Sequence, residues 1–205
     1  MCKEIKVIRA NAIEKIKASI NTALIIVLDN IDISHELQQQ KDVVICTDDV
    51  FCGEQSSYWN KFGFVADIIA DDIDYDVMDI QQTSSKEFEF YYNNRFRKEH
   101  AQRIHQYFER IDALPAINTI YVACVSRTSR AAAIARYYQL THKMPLIGDY
   151  RRINQSVMNL LNDPCCFDDA FANKKFDEKH PVVASIKSLL HNIITPIDMS
   201  PIHNL

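Results

Sequence analysis

The chain has 205 residues, of which 47% are hydrophobic, and a formal net charge of −4, so it fits one globular domain with a sizeable core. The mildly acidic balance argues against a general binder of nucleic acid or of membrane surfaces. The longest apolar run, residues 23–28, is too short to cross a bilayer, and the first residues lack the apolar core of a signal peptide. We therefore expect a cytoplasmic protein without a membrane span.

The cysteines show neither a metal-binding spacing nor a secretory context. They lie at positions 2, 46, 52, 124, 165 and 166. We expect reduced thiols in a cytosol-like compartment and no zinc site. The acidic stretch at residues 67–79 lacks the glycine turn and closing glutamate of a calcium loop. No metal and no organic cofactor are expected.

The first part of the chain alternates between strand and helix patterns. Residues 5–8 and 23–28 are apolar and rich in β-branched side chains, which predicts buried strands. Between them, residues 11–20 have apolar positions at helical spacing, and Asn11 can cap that helix. A further short strand is predicted at residues 42–46. This β-α-β order predicts a parallel sheet with helices on its faces.

The middle of the chain predicts an irregular segment, a strand, a helix and a second strand. Residues 47–66 are irregular, and their aromatic side chains are expected to cover an edge of the core. Tyr75 and Val77 alternate with polar residues, which predicts a strand followed by a polar loop. Residues 94–112 carry an apolar stripe at helical spacing. The β-branched run at residues 119–122 predicts a buried strand.

The remainder of the chain is predicted to be mostly helical. The expected elements are an alanine-rich helix at 131–138, a turn at 145–149, helices at 150–161 and 182–194, and a frayed tail at 195–205. Residues 1–194 then form a single α/β domain. In this domain, helices flank a mostly parallel, roughly four-stranded sheet.

The strongest functional pattern lies in residues 120–138. A strand leads to Cys124, five residues separate this cysteine from Arg130, and a helix-forming run follows at once. The first amides of a helix have no partner inside it and favour an anion in the preceding loop. Such a helix terminus and an arginine stabilise a thiolate, and a guanidinium grips two phosphate oxygens. Residues 124–130, called the 124–130 loop below, therefore predict phosphoryl transfer through a cysteinyl-phosphate.

The 124–130 loop resembles the signature loop of the cysteine-based protein tyrosine phosphatases, in particular that of their compact dual-specificity-like branch with its small bacterial members. Cys124, Ser129 and Arg130 match that pattern. The resemblance is specific over residues 120–138. It implies a metal-independent phosphoric monoester hydrolase with a protein tyrosine phosphatase-like fold, acting on a phosphorylated protein or a small phosphoester.

The resemblance implies a role for each residue of the loop. Cys124 is the nucleophile, Arg130 holds the phosphate oxygens, and Ser129 stabilises the thiolate as it leaves in the second step. The other phosphate-binding residues are Val125, Ser126, Arg127 and Thr128.

Two positions differ from the family pattern. Ala123 stands where a histidine usually precedes the cysteine, which removes one support of the thiolate. Arg127 stands where a glycine usually allows an unusual backbone angle or a close approach to phosphate. Arg127 therefore adopts that geometry at some cost or gives the loop a different shape, and its charge can add a phosphate contact.

A phosphatase of this kind needs a general acid, because an alkoxide is a poor leaving group at neutral pH. In the family this acid is an aspartate on a loop upstream of the cysteine. We predict Asp79, at the end of the predicted 75–80 strand, with Asp72 or Asp76 as alternatives. Asp163 ranks lower, because the low-molecular-weight phosphatases with an Asp-Pro acid carry their signature loop near the N-terminus. All of these carboxylates also fit a solvated surface.

Residues outside the 124–130 loop receive weaker predictions. Residues 151–154 resemble a segment that packs behind the signature loop in the small phosphatases. Arg151 and Arg152 fit a surface role better than a substrate contact. His100 and His105 fall near the polar side of their helix and are expected to be solvated or internally bonded.

Three other interpretations of the sequence stay open. A phosphate-binding module would use the Arg127 loop and turn over poorly. A rhodanese- or arsenate-reductase-like thiol enzyme would use Cys165 and Cys166 as resolving thiols. In the third interpretation Cys124 is a buried core cysteine and the following arginines are solvated.

Overall fold

The described part of the protein is an α/β structure built on a five-stranded, all-parallel sheet. A computed structural model describes residues 3–29, 59–124, 128–148 and 150–179. The strands are β1 (Glu4–Arg9), β2 (Thr22–Leu28), β3 (Phe64–Ile69), β4 (Thr119–Cys124) and β5 (Leu146–Gly148). Their order across the sheet is β3-β2-β4-β1-β5, so β4 lies between the first two strands of the chain.

Six α-helices accompany the sheet in the described residues. They are α1 (Val77–Gln82), α2 (Ser85–Tyr92), α3 (Lys98–Asp112), α4 (Ser129–His142), α5 (Gln155–Asn162) and α6 (Asp168–Lys179). Short 3₁₀ helices span Ala10–Lys15 and Trp59–Lys61. α4 packs against β1, β2 and β4, and α5 packs against α4 and α3.

Strand β2 is buried along its whole length, because both faces of the sheet are covered there. Ala23, Ile25 and Val27 point into the larger core, which the helices complete. Leu24 and Ile26 point to the opposite face, where side chains from the first 3₁₀ helix and the segment before β3 cover them. A continuous apolar run is typical of a strand buried on both faces.

The predicted α/β class with a parallel sheet is confirmed, whereas the protein tyrosine phosphatase-like fold stays a prediction. The described residues form five strands rather than roughly four. β1, β2 and β4 lie where apolar runs predicted strands. The fifth strand, β5, occupies the predicted turn at 145–149. It pairs with β1 over Leu146–Gly148, and Gly148 has a positive φ of 117° at its end.

Two helix and strand predictions before β4 are wrong. The expected helix at 11–20 is a 3₁₀ helix that ends at Lys15. The strand expected at residues 75–80 is instead mostly helix α1, and the strand in this part of the chain is β3, at Phe64–Ile69. Helix α1 forms because Asp76 and Asp79 cap each other's backbone amides at its first turn, at 3.0 and 2.9 Å.

α3 and α5 begin later than predicted, whereas α4 extends beyond its predicted range at both ends. α3 starts at Lys98 rather than at residue 94. α5 starts at Gln155 because the Asn154 side chain accepts a hydrogen bond from Val157 N and ends the preceding loop. After Asp163 the chain continues into α6, which was not predicted. The predicted strand at 42–46, the helix at 182–194 and the tail at 195–205 lie outside the described residues.

Candidate functional site

Cys124 is the last residue of the central strand β4. Its Cα is in register with Arg9 of β1 and Val27 of β2, and its side chain is fully buried. It therefore lies at the carboxyl edge of the sheet, between two flanking strands. Open parallel sheets bind their ligands at this edge.

The 124–130 loop leads directly into helix α4. Val125, Ser126 and Arg127 lie outside the described residues, so the contacts predicted for them stay predictions. Thr128 is the residue before the helix, and its carbonyl accepts a hydrogen bond from Ala132 N at 2.7 Å. The start of a 14-residue helix thus follows the loop, as the alanine-rich sequence predicts.

The guanidinium of Arg130 is fully buried at the carboxyl ends of β2 and β3. Its Nη1 donates to the carbonyl of Leu28 at 3.4 Å and to the carbonyl of Ala70. Its Nη2 pairs with the carboxylate of Asp29, and its Nε lies 3.7 Å from Asp72 Oδ1. A buried arginine requires such ionic and carbonyl partners, because desolvation of its charge is costly.

The carboxylate of Asp72 contacts side chains from several elements of the site. Ser129 Oγ lies 2.6 Å from both of its oxygens, and Asn154 Nδ2 donates to Oδ1 at 3.2 Å. Asp72 follows the end of β3 by a few residues, whereas Ser129 opens α4 and Asn154 precedes α5. Elements far apart in the sequence therefore converge on one side chain.

Asn154 anchors the back of the 124–130 loop. Its backbone N–H donates to the carbonyl of Ser129 at 3.2 Å, and its side-chain Nδ2 donates to the carbonyl of Ile73 at 3.1 Å. Of residues 151–154, which are predicted to pack behind the loop, Asn154 contacts the end of the loop at Ser129. Asp74 continues this contact, since it accepts hydrogen bonds from the first amides of α5, Gln155 N at 3.2 Å and Ser156 N at 2.7 Å.

Asp79, the aspartate first predicted as general acid, makes other contacts. Its carboxylate accepts hydrogen bonds from Asp76 N at 2.9 Å and from the Tyr92 hydroxyl at 3.3 Å, so it caps α1 and joins it to α2. In the described contacts it is Asp72, one of the two alternatives, that reaches Ser129 and Arg130. The sequence did not rank Asp72 first because β3 was not recognised as the strand that delivers it.

The two histidines of α3 have internal hydrogen bonds, as expected. His100 Nδ1 accepts from Arg97 N at 3.1 Å, and burial, together with the charge of Arg103, lowers the pKa of His100 to about 4. His105 Nε2 lies 2.9 Å from the carbonyl of Leu161 and so links α3 to α5. Arg151 and Arg152 are exposed.

Cys165 and Cys166 lie between α5 and α6. Cys165 is exposed, and the ammonium of Lys98 donates to its sulfur at 3.1 Å. Cys166 is partly buried, and this burial, together with the charge of Asp163, raises its pKa to about 11. Little of the Cys166 thiol is therefore ionised at neutral pH, which makes it a poor attacking thiol.

Comparison with known proteins assigns no role to any residue of the site. No family model matches the chain, and no curated protein or solved structure matches it. In the described residues, no group of three or more His, Cys, Asp and Glu side chains is arranged to hold a metal ion. None of the described helices combines the length and the apolar character needed to cross a membrane.

Proposed function

We propose that the protein is a cysteine-dependent phosphate monoester hydrolase of the protein tyrosine phosphatase type, active on a phosphorylated protein or small phosphoester. The observation that carries the proposal is that Ser129 and Arg130 both contact Asp72 at the carboxyl edge of the sheet, the edge at which β4 ends with Cys124. A nucleophile, an arginine, a hydroxyl and a carboxylate beside a helix N-terminus are the groups that this chemistry requires.

In the first step, the Cys124 thiolate attacks the phosphorus of the ester. A sulfur–phosphorus bond forms as the bond to the leaving oxygen breaks, and that oxygen takes a proton from an aspartic acid. Arg130 and the loop amides hold the equatorial phosphate oxygens, whose charge is stabilised by a planar guanidinium. The product of this step is a cysteinyl-phosphate and a free alcohol or phenol.

In the second step, water attacks the phosphorus of the intermediate. The same aspartate takes the proton of the water, the sulfur–phosphorus bond breaks, and inorganic phosphate leaves with the thiolate restored. Ser129 is proposed to stabilise the departing thiolate through its hydroxyl. In the structure this hydroxyl donates to Asp72, so it must rotate to reach the sulfur.

Two aspartates are candidates for the general acid. Asp79 was predicted from sequence, whereas Asp72 has the stronger support because its carboxylate lies beside Ser129 and Arg130. Geometry comes before pKa in assigning such a role, since the acid must reach the proton it transfers. Asp72→Asn should therefore lose more turnover than Asp79→Asn.

The test is hydrolysis of an aryl phosphate in the presence of a metal chelator. Wild type is compared with Cys124→Ser, Asp72→Asn, Asp79→Asn and, as a control, Glu109→Gln, an exposed carboxylate on α3. We expect no detectable turnover by Cys124→Ser and a loss of about 10²–10⁴-fold in kcat for the acid variant. Turnover that persists in Cys124→Ser would exclude the thiolate mechanism.

A phosphate-binding module is the second candidate function. Protein oxygens already surround the guanidinium of Arg130, so a phosphate must displace at least one of them. If wild type binds inorganic phosphate yet hydrolyses no phosphate ester, this second function is correct.

A further inference from the structure

Two side-chain hydrogen-bond donors and the guanidinium of Arg130, from α4 and the start of α5, surround the carboxylate of Asp72. Ser129 Oγ lies 2.6 Å from each oxygen, Asn154 Nδ2 lies 3.2 Å from Oδ1, and Arg130 Nε lies 3.7 Å from the same oxygen. Arg130 and Asn154 are almost completely buried, with exposed fractions of 0% and 3%. A hydroxyl, an amide and a guanidinium around one anion are the donor types that bind phosphate oxygens.

The remaining edges of the Arg130 guanidinium also face protein oxygens. Nη1 donates to the carbonyls of Leu28 and Ala70, and Nη2 pairs with Asp29. A fork-like grip on phosphate uses two adjacent N–H groups of the guanidinium. The Nε and Nη2 edge is held by two carboxylates, Asp72 and Asp29. A phosphate dianion cannot share that edge with two carboxylates without strong like-charge repulsion.

We infer that Asp72 is an intramolecular competitor of the substrate phosphate, whose carboxylate fills the anion position formed by Ser129, Arg130 and Asn154 until a phosphate displaces it. This inference rests on the proposed function, because it identifies the incoming oxyanion as a phosphate monoester. The site is therefore closed by its own aspartate in the absence of substrate.

The loop that carries Asp72 is anchored on both sides, which limits how far the carboxylate travels. Before it, the carbonyl of Ala70 accepts from Arg130, and Ala70 N donates to Leu28 O at 3.0 Å. After it, Asp74 holds the first amides of α5. Displacement therefore involves the side chain and a short piece of backbone. The displaced carboxylate stays near the phosphate, where it can act as the general acid of the proposed reaction.

Such a competitor weakens phosphate binding, because only molecules in which it has left the site can bind phosphate. The apparent dissociation constant is the intrinsic one divided by the fraction of open molecules, so a site that is open about a tenth of the time binds about tenfold more weakly. Removal of the Asp72 charge should therefore strengthen binding. Removal of an ordinary phosphate contact would weaken it, so the two roles predict opposite signs.

The experiment is a calorimetric titration with inorganic phosphate in a Cys124→Ser background, which removes the chemistry. The background is compared with its Asp72→Asn and Asp72→Ala derivatives. Asn keeps the shape of Asp72 and one acceptor oxygen but removes the charge, and Ala removes the side chain, so one of the two remains informative if the other unfolds. Glu109→Gln in the same background removes one negative charge elsewhere and controls for net charge. Thermal unfolding verifies that each variant is folded.

We expect both Asp72 variants to bind phosphate about tenfold more tightly than the background, and Glu109→Gln to bind it equally. Unchanged or weaker binding in folded Asp72 variants overturns the inference, as does an equal gain in Glu109→Gln. If wild type shows Cys124-dependent hydrolysis but the Asp72 variants do not bind phosphate more tightly, the proposed function stands and the role of Asp72 as a competitor is rejected. Tighter binding without any hydrolysis supports the competitor in a phosphate-binding module and rejects the hydrolase.

Discussion

His142 Nε2 lies 2.9 Å from Asp112 Oδ2, a contact that joins the C-terminal ends of α4 and α3. The other oxygen of this carboxylate accepts hydrogen bonds from Lys3 Nζ at 3.1 Å and from the Tyr138 hydroxyl. The Tyr138 ring also stacks on His142, with centroids 4.0 Å apart. One carboxylate therefore ties the residue before β1 to two helices, at the edge of the sheet opposite Cys124.

The first prediction concerns the pH dependence of this cluster. Burial disfavours the charged form of Asp112, but hydrogen bonds from Tyr138 and Lys3 and the charge of His142 outweigh it and lower the pKa. A lowered pKa in the folded state contributes stability above the unfolded-state pKa, and this contribution is lost as the pH falls through the folded-state pKa. We expect Asp112→Asn to cost about 1 kcal/mol at neutral pH, because the carboxylate is partly exposed.

Urea unfolding of wild type and Asp112→Asn across the acid range measures this effect. The difference between the two proteins should shrink as the pH falls below about 4. Glu109→Gln, an exposed carboxylate on the same helix, serves as the control and should show little difference at neutral pH. A constant difference down to the lowest pH would contradict the prediction.

The second prediction concerns His100, which affects stability at a higher pH than Asp112 does. Its pKa falls from 6.5 to about 4 because burial disfavours the imidazolium. The neutral ring therefore contributes stability above pH 6.5 that is lost as the pH falls towards 4, at most roughly 3 kcal/mol. His100→Gln should unfold with a shallower pH dependence in that range, measured by urea unfolding. Asp112→Asn is the matched comparison, and an unchanged slope in His100→Gln would reject the assignment.

The third prediction concerns Lys174, which is buried on α6. Its ammonium donates to the carbonyls of Ile80 and Thr83 and lies 5.0 Å from the Phe88 ring centroid. Lys174→Met keeps most of the apolar volume but removes the donors from the end of α1. We expect a loss of about 1–3 kcal/mol in the free energy of unfolding. Lys86→Met, an exposed lysine on α2, is the control, and equal unfolding curves for both variants would refute the role of Lys174.

The fourth prediction separates the two tasks of Asn154. Asn154→Asp keeps the oxygen that caps Val157 N at 3.0 Å, but it replaces the donor to Asp72 with a negative oxygen. Asn154→Ala removes both, so it should cost about 1 kcal/mol through the lost cap, whereas Asn154→Asp keeps the cap and adds like-charge repulsion with Asp72.

Kinetics then test whether Asn154 positions the acid. If Asp72 is that acid, Asn154→Asp should lower kcat for an aryl phosphate by about 10–100-fold, because a misplaced group loses its alignment with the leaving oxygen. A purely structural role would move thermal stability and leave kcat unchanged. An unchanged kcat in the folded variant would return Asp79 to first place as the general acid.

Local sequence patterns were sufficient to predict the central strands of the sheet and the helix that packs on them. β1, β2 and β4 were predicted because each is a short β-branched run, and α4 because alanine favours helices. β3 escaped recognition because Asp67 interrupts its apolar run, although this residue is buried and its carbonyl accepts from Tyr107 at 3.1 Å. β5 has only three residues and is defined by its pairing with β1, which no local pattern encodes.

The same distinction applies to the candidate site. Cys124, Ser129 and Arg130 belong to one continuous motif, so their neighbourhood follows from their spacing. The position of Asp72 depends on where β3 ends relative to α4, which is a property of the sheet order. The sequence ranked Asp79 above Asp72 and Asp76, but in the structure Asp76 and Asp79 cap α1, whereas Asp72 contacts Ser129 and Arg130.

The central position of β4 has a consequence for synthesis of the chain. β4 lies between β1 and β2, and its first residue, Thr119, pairs with Glu4 across a sequence separation of 115 residues. The sheet therefore cannot close until most of the chain has left the ribosome. Until then, β1 and β2 both lack their shared neighbour β4. The open edges of such strands pair readily with other chains. This protein should consequently fold slowly and depend on chaperones during translation more than proteins with local strand pairing do.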